Sequence, residues 1–290
     1  VVNIFVGKDL KKAGIKDIPT NFKAKNKDDS EMFTPERSAI AIDKVRHVGD
    51  PIAIVIAESI EKAKNAADLI FADIEEIPSV ASCSEAIKDN SPQVWENTKN
   101  NLCFDWEMGD KDKTDEAFKN SHSIVEIELI NNRIVPNSME TRGAIANYDK
   151  TNMRYELRCS SQGVHSLRDR ISSVLDIRPD DLRVITTDVG GGFGMKIFNY
   201  PEYICSLFAS KEVGRPVKWV SERSEAFLSD THGRDHVTKA RLAIDKDGVF
   251  LGIKIDTIAN MGAYLSNFAI FIPTLAGTAM LAGCYKTPSI

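Results

Sequence analysis

Four glycines in the five residues Gly190-Gly191-Gly192-Phe193-Gly194 form the part of this sequence best suited to hold a ligand. Glycine adopts positive φ at no steric cost and lets a ligand approach the backbone closely. Successive N–H groups in such a turn make an anion-binding concavity, and a helix N-terminus directly after it would strengthen the field. The loop therefore suits a phosphate, an oxo group or an oxyanion. A glycine turn made only for tight packing is the plainer alternative, and the density of glycine around an aromatic residue weighs against it. Lys196 stands between Met195 and Ile197, so the Gly-Lys-Ser/Thr of a phosphate-binding P-loop is missing. Met195, Lys196 and Ile197 occupy the places where a glycine would complete G-x-G-x-x-G, so the dinucleotide fingerprint fails as well.

Other candidates carry less. His232 and His236 are four apart and could share a helix face, but the residue after His232 is Gly233, not the glutamate of a zinc protease. His165 could line a pocket or be a hydrogen-bonded structural residue. Glu140 and Arg142 have the spacing of a catalytic pair, and a buried ion pair between them is the preferred reading. Cys83, Cys103, Cys159, Cys205 and Cys284 are scattered, without C-x-x-C spacing. That disfavours a zinc ribbon, a cysteine-held cluster and a disulfide framework, and fits buried reduced thiols in a cytoplasmic protein. Cys205 is placed on the apolar face of a helix and is not read as a nucleophile.

The elements that must position these residues follow from periodicity. Ile52–Ala57 is a short apolar β-branched run and predicts a buried strand. Glu58 and Ser59 offer a helix start, with Ile60, Ala63, Ala67 and Ile70 on one face. Phe71–Ile77 alternates and predicts a second strand, which would make a small βαβ-like unit. Residues 23–32 predict a surface loop, and a linker is expected near 82–93. Further strands are predicted at 123–130, 153–160, 182–189 and 216–220. A helix carrying Val164, Leu167, Ile171, Val174 and Leu175 should run to Pro179, and a second should start at Pro201 and close at Gly214. Residues 236–244 and 249–259 flank Asp245-Lys246-Asp247-Gly248 and predict an antiparallel hairpin. Phe268, Phe271 and the apolar run to Leu281 are expected in a core or an interface. Mixed parallel and antiparallel signals point to an α+β fold.

Composition bounds the function. Hydrophobic residues at 42% and charged residues at 27% place the 290-residue chain with ordinary globular proteins, large enough for two domains. A net charge of −5 gives no electrostatic case for nucleic acid. No apolar run approaches the roughly 18–20 residues of a membrane span, and no secretory leader is visible. Residue 1 is Val, so either the true N-terminus is missing or a segment has been removed.

Taken together, the motifs carry a family likeness. The run from Asp188 to Lys196, DVGGGFGMK, resembles the signature of the molybdenum hydroxylases, the xanthine dehydrogenase and aldehyde oxidase family, with the best likeness to large subunits of carbon monoxide dehydrogenase type. Arg46–Ala53, with the helix after it, resembles the family's a/b hammerhead domain. Met139-Glu140-Thr141-Arg142-Gly143-Ala144 resembles M-E-P-R-G-A, and Ser160-Ser161-Gln162-Gly163-Val164-His165 resembles S-T-Q-x-x-H. Gly214–Trp219, Glu222-Arg223 and Ala259–Tyr264 also fit in order, so the likeness spans nearly the whole chain.

This resemblance implies a hammerhead-like domain over residues 1–87, followed by the first part of a mixed-sheet molybdenum-cofactor domain over 88–290. It implies a molybdopterin cofactor, in the cytosine dinucleotide form, held by Gln162, Gly191, Gly192, Phe193 and Gly194. The Phe193 amide and the Gln162 amide would donate to the metal's oxo group. Ile197 stands where purine-oxidising members carry an acidic residue, and residues 270–284 contain no arginine, which points away from xanthine and towards an aldehyde, carbon monoxide or another small substrate. The resemblance also implies iron–sulfur and FAD subunits, the remainder of the same large subunit and a homo-oligomeric complex. The general-base glutamate is expected in that remainder, so no catalytic residue and no metal ligand is assigned here, and the chain alone is expected to be inactive. Two alternatives stay open: a non-catalytic binding or assembly protein that keeps the fold, and an unrelated phosphate- or nucleotide-binding protein using the glycine loop.

Overall fold

The computed structural model describes residues 1–278 and 280–290. Along the chain come β1 (Asn3–Val6), α1 (Gly7–Lys12), β2 (Ala53–Ile56), α2 (Ile60–Ala67), α3 (Cys83–Ala86), α4 (Lys111–Lys119), β3 (Ser123–Asn131), β4 (Gly143–Asp149), β5 (Arg154–Cys159), α5 (Val164–Leu175), β6 (Leu182–Ile185), α6 (Pro201–Val213), β7 (Val217–Val220), α7 (Arg223–Ser229), β8 (His236–Ile244) and β9 (Phe250–Ala259). Strands and helices mix as an α+β fold requires. They divide into two compact units, each assembled from separate stretches of chain.

The first unit comprises Val1–Pro19, Glu36–Glu76 and Val135–His232. Its centre is a four-stranded sheet of order β6-β5-β4-β7. β5 and β6 run parallel, joined through α5, while β4 is antiparallel to both β5 and β7. Alternation sets the inner face: Ala144 and Ala146 of β4 and Tyr155, Leu157 and Cys159 of β5 are buried. Leu167, Ile171 and Val174 of α5 and Ile204, Leu207 and Phe208 of α6 complete this core. α6 is buried around most of its circumference, because the Phe208 ring also meets Phe5 of β1 edge-on at 5.0 Å. Pro201 sits at its first turn, where a missing N–H costs nothing. Gly214 ends it with φ of 64°, in the left-handed region that favours glycine.

The second unit comprises Thr20–Pro35, Ile77–Ile134 and Gly233–Ile290. Its sheet has the order β3-β8-β9, antiparallel throughout. The predicted hairpin is present: Asp245 Oδ1 accepts from the Asp247 and Val249 amides, and Gly248 takes φ of 80°. A small core gathers Ala24, Met32, Leu265 and Ile270, with Phe22 stacked on Phe271 at 4.7 Å. The polar stretch 23–32 is a loop, yet its two ends thus contribute buried residues. Within the apolar run from Phe268 to Leu281, Ala279 lies outside the described residues.

Several expectations need correction. Residues 71–77 form no strand and are exposed throughout. β2 pairs only with β1 in a two-stranded sheet, and the alternating segment joins neither strand. α2 forms with Ser59 as its cap, Oγ accepting from the Lys62 amide, but buries none of its residues. α5 stops at Leu175, before Pro179, because Asp176 turns left-handed at φ of 54°. β6 covers only the first half of 182–189. His232 and His236 lie on no helix. Cys83, Cys159 and Cys205 are buried as expected, but Cys284 is exposed.

Core and surface apolar residues should answer differently to truncation. Ile171→Ala, at a fully buried α5 position, is expected to lower unfolding free energy by about 2–5 kcal/mol. Ile60→Ala, at a position 55% exposed on α2, should change it by less than about 0.5 kcal/mol. Urea unfolding of the two variants against the parent chain checks the contrast.

Candidate functional site

The four-stranded sheet brings the singled-out motifs to one of its ends. Ala144 near the start of β4 pairs with Cys159 at the end of β5, so Glu140 and Arg142 precede the sheet where Gln162 leaves it. β6 is parallel to β5, so the glycine loop departs from the same end, and the Thr186 hydroxyl donates to the Cys159 carbonyl there. Val220 at the end of β7 pairs with Gly143, which delivers Arg223 to that end too. In sheets with parallel strands the carboxyl ends are where ligands bind.

The glycines are needed for different reasons. Gly191 and Gly194 hold φ of 99° and 83°. A Cβ on Gly190 would come 2.5 Å from Glu140 Cβ, and one on Gly192 would come 2.6 Å from Gln162 Oε1. Phe193 is itself left-handed at φ of 49°, a conformation costing an L-residue about 1–2 kcal/mol, and its ring is 75% exposed. Such strain persists only where the surroundings over-determine it.

Those surroundings are specific. Gln162 Oε1 accepts from the Gly194 amide at 3.0 Å and the Lys196 amide at 3.1 Å, while the Gln162 backbone N–H donates to the Lys196 carbonyl. Two N–H donors can face only the oxygen of a side-chain amide, so Nε2 is directed elsewhere and has no acceptor among the described residues. Glu140 Oε2 accepts from the Gly190 amide at 2.8 Å and from Lys196 Nζ at 2.7 Å. One carboxylate oxygen therefore joins the first residue of the loop to Lys196, two residues beyond its last glycine. Lys196 is fully buried, whereas the Glu140 side chain keeps 42% exposure. Burial alone would raise the Glu140 carboxyl, but the Lys196 ammonium and the Gly190 amide outweigh it and hold it below the usual carboxylate range.

Arg142 does not pair with Glu140 as expected. A bend at Met139 and Glu140 turns that carboxylate towards the loop. Arg142 instead donates bidentately to Glu202 at 2.7 and 2.9 Å, to Asp230 through Nε at 2.5 Å and to the Ser229 hydroxyl at 2.8 Å. Burial would lower its basicity, but Glu202 raises it further, so the guanidinium stays charged. Arg223 clasps the segment before Glu140, donating to Asn137 Oδ1 and to the carbonyls of Ser138 and Met139 at 2.7–2.9 Å. The expected helix does not follow the loop directly: a three-residue turn, Met195–Ile197, intervenes, and α6 starts only at Pro201. The anion site is thus made by backbone amides without a helix dipole behind it.

What the loop offers is a row of donors. Among the described residues the amides of Gly191, Gly192 and Phe193 have no acceptor, and Gln162 Nε2 adds a neutral donor. Uncharged N–H groups on a glycine backbone suit the oxo and phosphate oxygens of a molybdopterin-type group, so these residues fit it. Gly190, Lys196, Ser138 and Arg223 were not among the expected site residues. Gly190 and Lys196 carried a signal as parts of the loop motif and Arg223 as part of the Glu222-Arg223 motif, and Ser138 carried none. The buried Cys159 and Cys205 thiols are pushed up by burial, Cys159 to about 12, which makes both poor nucleophiles.

The Glu140–Lys196 pair has a signed pH consequence. A carboxyl held low in the folded state contributes stability that is full above the ordinary glutamate range and is lost as pH falls through the lowered value. Glu140→Gln should flatten that acid limb. It should also cost about 1–3 kcal/mol at neutral pH by leaving buried Lys196 without a counter-charge, less than for a fully buried pair because Glu140 is partly solvated. Adding Lys196→Met should recover part of the loss. Urea unfolding across pH, in the single and double variants, checks both.

Comparison with known proteins agrees with this geometry. The model of the molybdopterin cofactor-binding domain matches residues 94–290, and that of the aldehyde oxidase and xanthine dehydrogenase a/b hammerhead domain matches residues 1–78. The carbon monoxide dehydrogenase large chain of Hydrogenophaga pseudoflava is 31% identical over 239 residues, which cover 78% of this chain and 30% of that one. The nicotine 6-hydroxylase large subunit of Paenarthrobacter nicotinovorans is 32% identical over 226 residues, covering 78% of this chain and 27% of that one. The crystal structure of quinoline 2-oxidoreductase from Pseudomonas putida 86 aligns with a TM-score of 0.85 at 28% identity, over 99% of this chain and 36% of that one. The match spans 30% of the length of each of two carbon monoxide dehydrogenase large chains, so this chain covers well under two thirds of those relatives. It belongs to the aldehyde oxidase and xanthine dehydrogenase family of molybdopterin cofactor-binding proteins.

Proposed function

We propose that this chain is the cofactor-cradling part of a molybdenum-dependent oxidoreductase that oxidises or hydroxylates a small substrate with water as the oxygen source. The observation that carries the proposal is the row of unpartnered amides at Gly191, Gly192 and Phe193 beside the free Gln162 Nε2. When bound, a molybdopterin-held molybdenum centre supplies the two-electron oxidation, so that R–H and water become R–OH with two protons and two electrons released. The chain's own residues bind and orient. The loop amides and Gln162 Nε2 would take oxo and phosphate oxygens without adding charge. Gly192 and Gly194 let those oxygens approach the backbone, and Phe193 covers the loop. Glu140 is a poor base, since its carboxyl is held low and already accepts from Gly190 and Lys196. We therefore assign no catalytic base within these residues and expect no turnover from them alone.

The finer assignments belong to the same proposal. Ile197 in place of an acidic group favours an aldehyde, carbon monoxide or a similar small substrate over a purine. The cytosine dinucleotide form of the pterin, iron–sulfur and FAD subunits as electron acceptors, a homo-oligomeric complex and a cytoplasmic setting complete it. Among the described residues no helix is long and apolar enough to cross a membrane. The division into a hammerhead-like part, residues 1–87, and the first part of the cofactor domain, 88–290, stands on the same footing.

Metal analysis of the intact complex should find molybdenum in stoichiometric amount, with oxidation of aldehydes or carbon monoxide. A complex without molybdenum would overturn the proposal in favour of a non-catalytic assembly or binding role. Gln162→Glu keeps the acceptor for the Gly194 and Lys196 amides but replaces the Nε2 donor with an oxygen. Loss of about ten- to a hundred-fold in turnover is expected, with the fold intact by circular dichroism. Unchanged turnover would remove Gln162 Nε2 from the site.

A further inference from the structure

The tyrosine at the start of α6 closes a circuit that the cofactor chemistry does not itself call for. Arg142 lies with Cζ 3.7 Å from the centre of the Tyr200 ring and donates through Nε to Asp230. The next residue, Thr231, donates its amide to the Tyr200 hydroxyl at 3.1 Å. Guanidinium, carboxylate, backbone and phenol thus form a closed ring of contacts, with Arg142, Asp230 and Tyr200 buried and Thr231 half-buried. From this ring the Tyr200 hydroxyl donates to the Met195 carbonyl at 2.9 Å. Met195 is the residue directly after Gly194, and its own amide donates to the Gly192 carbonyl at 2.8 Å.

We propose that Tyr200 is a positioning residue for the cofactor loop, its hydroxyl transmitting the rigidity of the Arg142–Asp230 ion pair to Met195 and so holding the strained Gly192–Gly194 turn with its amides presented. The argument has three parts. Phe193 is left-handed without being glycine, so the turn must be held from outside. Arg142 has every one of its nitrogens engaged with Glu202, Asp230 or Ser229, so the face it presents to Tyr200 cannot wander. The phenol is the donor because the Met195 carbonyl can only accept, and burial, which pushes the phenol up to about 12, also keeps it protonated. Only the consequence for cofactor retention rests on the function proposed above.

The test is amide hydrogen exchange in the full-length subunit, comparing the parent with Tyr200→Phe. Phenylalanine keeps the ring under Arg142 and removes only the hydroxyl. The amides of Gly194, Met195 and Lys196 are hydrogen-bonded in the turn and report its opening. They should exchange about ten-fold faster in Tyr200→Phe, while those of α5 stay unchanged. Ile204→Val, a buried change on the same helix, controls for general loosening and should leave the three reporters at parent rates. Unchanged reporter exchange in Tyr200→Phe would overturn the proposal, and so would equal acceleration in Ile204→Val. Molybdenum retained per subunit should fall with the faster exchange. A parent subunit without molybdenum would count against the proposed function, while the exchange result would still decide the role of Tyr200.

Discussion

A guanidinium inside a protein must have its charge matched and its N–H groups filled, or the fold loses several kcal/mol. Arg142 is fully buried, and much of the first unit is arranged around that requirement. Glu202 reaches it from the first turn of α6, Asp230 and Ser229 from the end of α7, and Tyr200 from the residue before α6. The Trp219 ring of β7 lies 5.2 Å from the same carbon. Removing the charge would free four elements from their common point. The arginine also sits directly ahead of β4, so its placement fixes where the Glu140 segment leaves the sheet.

The cofactor-facing loop depends on that placement in two ways. Glu140 can join Gly190 to Lys196 only because the chain bends before Arg142 is drawn inward. Tyr200 can hold Met195 only because its ring is held by the same guanidinium. The loop is otherwise poorly suited to rigidity. It is rich in glycine, left-handed at three of its five residues and without a regular helix behind it. The open amides lie on exposed or part-buried residues, where a ligand can reach them directly. Donors kept open at Gly191 to Phe193, on a turn tied at both ends, make a surface organised ahead of its ligand.

Much of the local structure was legible in the residues. Helices α5 and α6 followed from apolar spacing, Pro201 and Gly214; the β8–β9 hairpin followed from Asp245 and Gly248. These features act within a few residues, where periodicity and turn chemistry operate. The failures share a cause of the opposite kind. Residues 71–77 alternate as a strand does, but a strand exists only through a partner, and this segment pairs with none. Glu140 and Arg142 have the spacing of a pair, yet spacing says nothing about Lys196 and Glu202, far along the chain. α2 has an apolar stripe that nothing in this unit covers.

The sequence by itself determined the loop, its chemistry and the family: four glycines around Phe193, a neutral glutamine and the order of the motifs. Those are matters of residue type, and residue type decides which φ values and which donors are possible. Tertiary structure alone decided that Gln162 meets the loop through its oxygen and keeps its nitrogen open, that Glu140 serves Lys196 and not Arg142, and that Tyr200 reaches Met195. The first two contacts join residues from different strand ends, whereas Tyr200 and Met195 lie five residues apart in the one segment between β6 and α6. The strand ends meet because β5 and β6 run parallel while β4 and β7 run against β5 and β4, an arrangement that no local spacing encodes.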